Sequence, residues 1–130
     1  MKQLGILIDM GDTLIHNIDF NFKRSLTLMY EKSLNKNVTL DEFLNYSLKI
    51  INDVFSERHF IEIKLIDFLK QLMELFDFSY NISLDELEID FSKNLSIIEI
   101  VDHSIDLLKY LKQKNYKIIV LSNTCMSKKA

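Results

Sequence analysis

A short apolar run near the start of the sequence ends on side chains that could do chemistry. Residues 4–8 lead directly into Asp9, and Gly11, Asp12 and Thr13 follow within four positions. A carboxylate at the carboxyl end of a buried strand is held rigidly and can act as a nucleophile or a metal ligand. Gly11 would let the chain turn sharply and bring backbone N–H groups close to an anion. The pattern predicts an anion site whose turn is held together by the Thr13 hydroxyl.

A second apolar run, near the end of the sequence, has the same organisation. The β-branched segment KIIVL at 117–121 shows no polar alternation and leads into Ser122 and Asn123. This texture is typical of a strand that is buried on both faces of a parallel sheet. Ligands of open α/β sheets bind at the carboxyl ends of the strands, so Ser122 and nearby backbone N–H groups could hold a second edge of the same anion. If the anion is a phosphate, an aspartate aimed at it is expected to attack phosphorus, with Mg²⁺ offsetting the repulsion between the two negative groups.

The chain between these two runs has the periodicity of helices. Apolar residues at helical spacing predict four helices, near 20–34, from 39 to 55, from 57 to about 78, and from 83 toward 91. Capping boxes open the second and fourth of them, with Glu42 three residues after Thr39 and Glu86 three residues after Ser83. The phenylalanines of this region lie at core spacing, which favours a packed bundle over a ligand pocket.

A fifth helix should precede the second apolar run. Asp102 can cap it, and Ile105, Leu108 and Leu111 would face inward. A turn at Asn115 then leads into the strand. The sequence therefore predicts a strand, a helical insertion of about 80 residues, a helix and a second strand. An all-helical bundle is disfavoured because both apolar runs are short and the second is rich in β-branched residues.

Composition excludes several classes of protein. The chain has 130 residues, 48% of them hydrophobic and 27% charged, which suits one globular domain. A formal net charge of −3, with no long basic run, argues against nucleic acid or an anionic membrane as a partner. The apolar run at 4–8 is too short for a signal peptide or a membrane span, so we expect a cytoplasmic protein. The single cysteine, Cys125, cannot form an internal disulfide, and the histidines share no metal-binding spacing.

Two motifs carry a resemblance to a known family. DMGDTL at 9–14 resembles the first motif of the haloacid dehalogenase-like (HAD) superfamily of phosphohydrolases, and VLSN at 120–123 resembles its second motif. The helical stretch between them resembles the cap domain of one large subgroup, so the resemblance covers all 130 residues. It implies an α/β fold: a HAD-like Rossmannoid parallel sheet, incomplete with two core strands, formed by residues 1–15 and 97–130. Residues 16–96 would form an inserted helical-bundle cap domain.

The resemblance also implies an activity and a set of site residues. Asp9 would be the nucleophile and a Mg²⁺ ligand, and the Gly11 backbone carbonyl would be a second ligand. Ser122 and the Asn123 backbone would bind the phosphoryl group, together with Gly11 and Thr13 of the first motif. The expected reaction is Mg²⁺-dependent phosphatase-type hydrolysis of a small phosphorylated metabolite through an aspartyl-phosphate on Asp9.

The sequence departs from the HAD pattern at position 11. Phosphatase members carry a second aspartate two residues after the nucleophile, which protonates the leaving group, but here that residue is Gly11. Asp12 lies one residue further on, where its side chain is expected to point elsewhere. Acid/base assistance is therefore not assigned to any residue, and the roles of Asp12 and His16 stay open.

The second departure is that later motifs are missing. The family places a lysine and an acidic metal-binding pair on strands after the second motif, whereas this sequence ends at Ala130, and Lys128 and Lys129 lie too close to that motif to serve. We expect a truncated or split product, with a completing chain or a homo-oligomer as its partner besides the substrate. The alternative function is a catalytically inactive remnant or an interaction module.

Overall fold

The computed structural model describes residues 4–56 and 63–122. In this part of the chain the fold is mixed α/β, with five helices and a small parallel sheet, which confirms the α/β expectation in its coarse form. The elements, in chain order, are β1 (Gly5–Asp9), β2 (Ile15–Asn17), α1 (Phe22–Lys32), α2 (Leu40–Ser56), α3 (Leu65–Phe76), α4 (Leu84–Leu95), β3 (Ile98–Ile100), α5 (Ser104–Gln113) and β4 (Lys117–Leu121).

The described chain divides into two compact units. The sheet unit comprises residues 4–19 and 97–122, and the helical unit comprises the described residues between 20 and 96. Within the sheet unit β1 and β4 pair in parallel, from Gly5 opposite Lys117 to Asp9 opposite Leu121. The strands β2 and β3 form a separate antiparallel ribbon. This ribbon was not predicted, because strands of three residues are too short to show a periodicity.

The sheet unit has a small core and a large apolar surface. Its buried hydrophobic residues are Ile8, Leu14 and Leu111, against which Ile6 and Ile118 pack. Since side chains alternate along a strand, Ile6, Ile8 and Ile118 face α5. The opposite face carries the exposed side chains Leu7, Ile119 and Leu121.

The prediction that both strands are buried on both faces is therefore wrong. Leu7 is 62% exposed, and three consecutive residues of β4, Ile119 to Leu121, are each about half exposed. Of the seventeen large hydrophobic side chains exposed in the described chain, twelve belong to the sheet unit. The physical reason is that α5 packs on one face of a two-stranded sheet and leaves Val120 of that face half exposed, while two strands are fewer than an independent sheet usually needs.

The helical unit, in contrast, has a full core. Thirteen buried hydrophobic residues of this unit form one cluster. At its centre Phe43 of α2 is fully buried and contacts the rings of Tyr30, Phe76 and Phe78 at centroid distances of 5.1–5.8 Å. The buried Ser25 hydroxyl of α1 donates to the Phe91 carbonyl of α4 at 2.8 Å. The prediction that the phenylalanines of this region belong to a core holds for Phe43, Phe68 and Phe76.

The third helix is shorter than predicted. Residues 57–62 of the predicted span lie outside the described residues, Lys64 is extended, and α3 ends at Phe76 rather than 78. Asp77 stops the helix because it adopts a left-handed conformation (φ 51°), and the N–H groups of Asp77 and Phe78 both donate to the Met73 carbonyl. The turn places the Phe78 side chain in the core.

The start of α5 also differs from the prediction. His103, not Asp102, is the N-cap residue; it has a left-handed backbone (φ 65°), and no side chain caps the helix. Leu111 is buried and Leu108 is partly buried as expected, but Ile105 is 48% exposed and does not face a core. The predicted turn before β4 is present, with Asn115 in a left-handed conformation (φ 58°).

Both predicted capping boxes are confirmed. The Glu42 carboxylate accepts from the Thr39 N–H at 2.8 Å, and the Glu42 N–H donates to the Thr39 hydroxyl at 3.3 Å. Ser83 and Glu86 repeat the arrangement with the same two distances. These hydrogen bonds from the Thr39 and Ser83 backbone are the main reason why the pKa values of both glutamates lie below their ordinary value.

These lowered pKa values predict that the helical unit loses stability in acid. A carboxylate whose pKa is lower in the folded state stabilises the fold fully above its ordinary pKa of 4.5, and this contribution disappears as the pH falls through the folded-state pKa. We expect the urea midpoint of α-helical circular dichroism to fall below pH 4.5, and to fall less in the double variant Glu42→Gln/Glu86→Gln. Glutamine keeps a capping box but does not titrate. If the urea midpoints of the wild-type protein and the double variant fell equally with pH, the two glutamates would not be the cause of the loss of stability.

Candidate functional site

The carboxyl ends of β1 and β4 lie side by side in the sheet unit. Asp9, the last residue of β1, is in register with Leu121, the last residue of β4, and the Met10 N–H donates to the Leu121 carbonyl at 3.0 Å. Ser122 follows Leu121 directly and is exposed, as is Asp9. Two of the predicted site residues thus extend from the same edge of one sheet, as the parallel pairing requires. Asn123 lies outside the described residues.

The turn after β1 holds the Asp9 carboxylate through Thr13. The Thr13 hydroxyl donates to Asp9 Oδ2 at 3.3 Å, while the N–H groups of Leu14 and Ile15 donate to the Met10 carbonyl at 2.9 and 3.2 Å. The turn is therefore closed by backbone hydrogen bonds. The Thr13 hydroxyl adds a side-chain hydrogen bond across this turn, as the sequence predicts, and it also orients the Asp9 carboxylate.

The residue with a left-handed backbone in this turn is Asp12 and not Gly11. Asp12 has φ 55°, in the left-handed region, whereas neither glycine of the described chain has a positive φ. The prediction that Gly11 lets the chain turn sharply is therefore wrong in its choice of residue: aspartate tolerates the left-handed conformation better than most residues, and Asp12 provides the turn. A Cβ at position 11 would meet no heavy atom within 4 Å. The position is open, and a side chain would fit there.

Asp12 and His16 form a pair beside the site. His16 Nδ1 lies 3.3 Å from Asp12 Oδ1, and both side chains are largely exposed. The pairing follows from the left-handed turn, which is followed by β2, the strand that carries His16. The Asp12 side chain is thus directed toward the His16 imidazole. The sequence did not reveal this pair because its spacing of four residues is unremarkable outside a helix.

The site contains oxygen donors but no complete metal cluster. Within residues 4–56 and 63–122, no group of three or more His, Cys, Asp or Glu side chains could hold a metal ion. The predicted pair of ligands, the Asp9 carboxylate and the Gly11 carbonyl, are hard oxygen donors of the kind that Mg²⁺ prefers. Binding of Mg²⁺ by this pair remains a prediction.

An open groove of about 400 Å³ lies in the helical unit, apart from the predicted residues. Its cationic side chains, Lys23 and Arg24, come from the first turn of α1, and Asn21 and Asn94 also line it. The Arg24 Nε–H donates to the Asn94 carbonyl at 2.5 Å, and the Arg24 N–H donates to Asn21 Oδ1 at 3.1 Å. These bonds join α1 to the end of α4, so the groove is explained by the packing of the bundle.

Comparisons with known proteins do not assign this chain to a family. No family model matches the sequence, and no curated protein is significantly similar to it. Among the helices that the structure describes, none has both the length and the apolar character needed to span a bilayer.

Proposed function

We propose that this chain is a HAD-like phosphohydrolase, or the N-terminal part of one, and that it uses Asp9 as a nucleophile on a small phosphorylated metabolite. The observation that carries the proposal is the register of the parallel pair: Asp9 and Ser122 extend from the same edge of the sheet, one from each strand. A nucleophile on one strand end and a hydroxyl on the next could contact two sides of a phosphoryl group.

The residues of this chain suggest how the first step would proceed. The Thr13 hydroxyl bonds to Asp9 Oδ2, which makes Oδ1 the oxygen that attacks phosphorus. As the Oδ1–P bond forms, the bond from phosphorus to the leaving-group oxygen breaks, and that oxygen departs with the electron pair. The product on the protein is an aspartyl-phosphate, which water then hydrolyses to phosphate and a free carboxylate.

Gly11 limits the substrates that such a site could use. Because Gly11 has no side chain to donate a proton, the leaving group must depart as an anion or take its proton from water. Phosphates with weakly basic leaving groups, such as acyl and aryl phosphates, satisfy this condition, whereas simple alkyl phosphates do not. We therefore expect acyl or aryl phosphates to be the substrates that this sequence handles best.

A Mg²⁺ ion held by the Asp9 carboxylate and the Gly11 carbonyl belongs to the proposal. When bound, it would reduce the repulsion between the attacking carboxylate and the phosphate. The family also places a lysine and an acidic pair after the second motif, and the proposal assigns neither to a residue of this sequence. Localisation in the cytoplasm and the absence of a nucleic-acid partner remain predictions.

The direct test is release of phosphate from acetyl phosphate and p-nitrophenyl phosphate with Mg²⁺ present. We expect turnover by the wild-type protein and a loss of at least about 10³-fold in Asp9→Asn, because amides are poor nucleophiles. Asp106→Asn, which makes the same change at an exposed position of α5, should retain activity. The phosphorylated intermediate should appear as a mass increase of one phosphoryl group that neutral hydroxylamine removes and that Asp9→Asn does not form.

Equal rates for the wild-type protein and Asp9→Asn would contradict the proposal, as would a phosphoryl group on another residue. Absence of both turnover and labelling would favour the second candidate, an interaction module or the inactive half of a split enzyme. The exposed apolar surface of the sheet unit supports that candidate, because large uncovered apolar patches mark interaction sites.

A further inference from the structure

The edge of β4 that faces away from β1 is a free strand edge in the described part of the sheet unit. β4 pairs with β1 along one edge, and no other strand of the described chain pairs with it. Ile119, Val120 and Leu121 are about half exposed although they point to alternate faces, whereas Ile8 of β1 is buried. Apart from Lys117 at its start, the strand has no charge, proline or bulge of the kind that protects natural edges.

The sequence of β4 is compatible with pairing to itself. In an antiparallel pair centred on Ile119, Ile119 lies opposite its own copy, Ile118 lies opposite Val120, and Lys117 lies opposite Leu121. All the central pairs are aliphatic or β-branched, which is favourable across strands. The two copies of Lys117 lie at opposite ends of the paired segment, about 13 Å apart along the strands, so like charges do not oppose each other.

The same pairing brings opposite charges of two copies into one row of the extended sheet. Asp9 is in register with Leu121, and Leu121 would be opposite Lys117 of the second copy. The Asp9 and Lys117 Cα atoms would then be two strand spacings apart, roughly 10 Å, on the same face of the sheet. The lysine side chain can extend across one strand, so its ammonium group could approach the Asp9 carboxylate. The charges at the sheet edge are therefore complementary between two copies.

We infer that two copies of this chain associate through antiparallel pairing of their β4 strands, forming a continuous four-stranded sheet in the order β1-β4-β4-β1. Lys117 of each copy then provides a cation to the Asp9 row of the other. The pairing is independent of the proposed phosphoryl chemistry; only a role for Lys117 at a phosphate site rests on that proposed function. Association through one strand edge leaves the face of the sheet opposite α5, with Leu7, Ile119 and Leu121, exposed.

Disulfide cross-linking tests the register of this pair. In the full chain carrying Cys125→Ser, the variant Ile119→Cys places two thiols opposite each other, with Cα atoms about 4.5–5.5 Å apart, within the range for a disulfide. Mild oxidation with copper phenanthroline, which removes two electrons and two protons from the thiol pair, should convert most of the protein to a covalent dimer of twice 15.4 kDa. Leu121→Cys, equally exposed and on the same face, would place its two thiols about 13 Å apart and should not cross-link.

Light scattering on the unmodified chain provides a second measurement. We expect a dimer mass for the wild-type protein and a monomer mass for Ile119→Lys, which would oppose two lysines at the centre of the pair. Ile105→Lys, the same change at an equally exposed isoleucine of α5, should remain dimeric. Circular dichroism would confirm that both variants are folded.

Several results would overturn the inference. A monomer mass for the wild-type protein would do so, and so would cross-linking of Leu121→Cys to the same extent as Ile119→Cys, which indicates random collision. Cross-linking through Leu7→Cys instead would assign the interface to the β1 edge. None of these readouts uses phosphate turnover, so an inactive protein with the expected cross-links would reject the proposed function and keep the dimer.

Discussion

The variant Gly11→Asp is expected to hydrolyse alkyl phosphates about 10²–10⁴-fold faster than the wild-type protein, which is the usual contribution of a positioned acid or base. The reason is that position 11 follows the proposed nucleophile by two residues, where the family resemblance places the proton donor. The substitution is sterically open, because a Cβ there meets no heavy atom within 4 Å and Gly11 has no positive φ. The measurement is kcat/KM for an alkyl phosphate and for p-nitrophenyl phosphate with Mg²⁺ present.

The leaving group provides an internal control for this prediction. The gain should be large for the alkyl phosphate, whose leaving oxygen needs a proton, and small for the aryl phosphate, whose leaving oxygen does not. Gly11→Asn, which adds a side chain of the same size without a transferable proton, should show no gain. A similar gain in Gly11→Asn, or a gain that persists when Asp9→Asn is added, would show that acid/base chemistry at this position is not the cause.

Phe43→Ala is expected to lower the free energy of unfolding of the helical unit by about 3–5 kcal/mol, the usual cost of removing a buried phenylalanine. Phe43 is fully buried at the centre of the bundle core, where it contacts three other aromatic rings, so its removal leaves a cavity and breaks ring contacts that stabilise beyond their buried area. Urea unfolding followed by far-ultraviolet circular dichroism would measure the change.

Phe20→Ala is the matched control for this substitution. Phe20 is 54% exposed, and its ring contacts that of Phe22 at a centroid distance of 4.9 Å. Its removal creates no enclosed cavity, so we expect a loss below about 1 kcal/mol. If the two variants lost equal stability, Phe43 would not lie in a tightly packed core.

Much of the architecture could be predicted because its signals are local. Both strands of the parallel sheet coincide with the two apolar runs, and both capping boxes form the hydrogen bonds that the spacing of Thr39 with Glu42 and of Ser83 with Glu86 predicts. Hydroxyl and carboxylate side chains three residues apart can satisfy each other without help from the rest of the fold. Such features depend on few neighbours, so the sequence is sufficient to recognise them.

Features that depend on distant packing were predicted poorly. The end of α3 is set by a left-handed residue, Asp77, and by the docking of Phe78 in the core, and neither is visible in helical periodicity. The exposure of Ile119 and Leu121 was also not predicted, because it depends on what packs against that face of the sheet. The composition of an apolar strand indicates that a buried environment suits it. It does not indicate whether a helix or a second sheet covers the strand.

The candidate site also combines one feature that the sequence predicts with one that only the structure shows. That Asp9 and Ser122 extend from the same sheet edge follows from two strands running in parallel, and the sequence order of a strand, a helix and a strand predicts this. The prediction that Gly11 provides the sharp turn was wrong, because glycine and aspartate both tolerate a left-handed backbone and only the structure shows that Asp12 adopts it.

The two ends of the helical unit are neighbours. The Asn21 N–H, just before α1, donates to the Leu95 carbonyl at the end of α4 at 2.7 Å, and in the sheet unit the Ile18 N–H donates to the Ile97 carbonyl at 2.9 Å. A segment whose entry and exit are hydrogen-bonded to each other can be inserted between two strands, or exchanged for a different segment, without moving either strand. The helical unit is therefore an exchangeable insertion: a different segment between the same hydrogen-bonded ends would leave the strand ends with Asp9 and Ser122 in place.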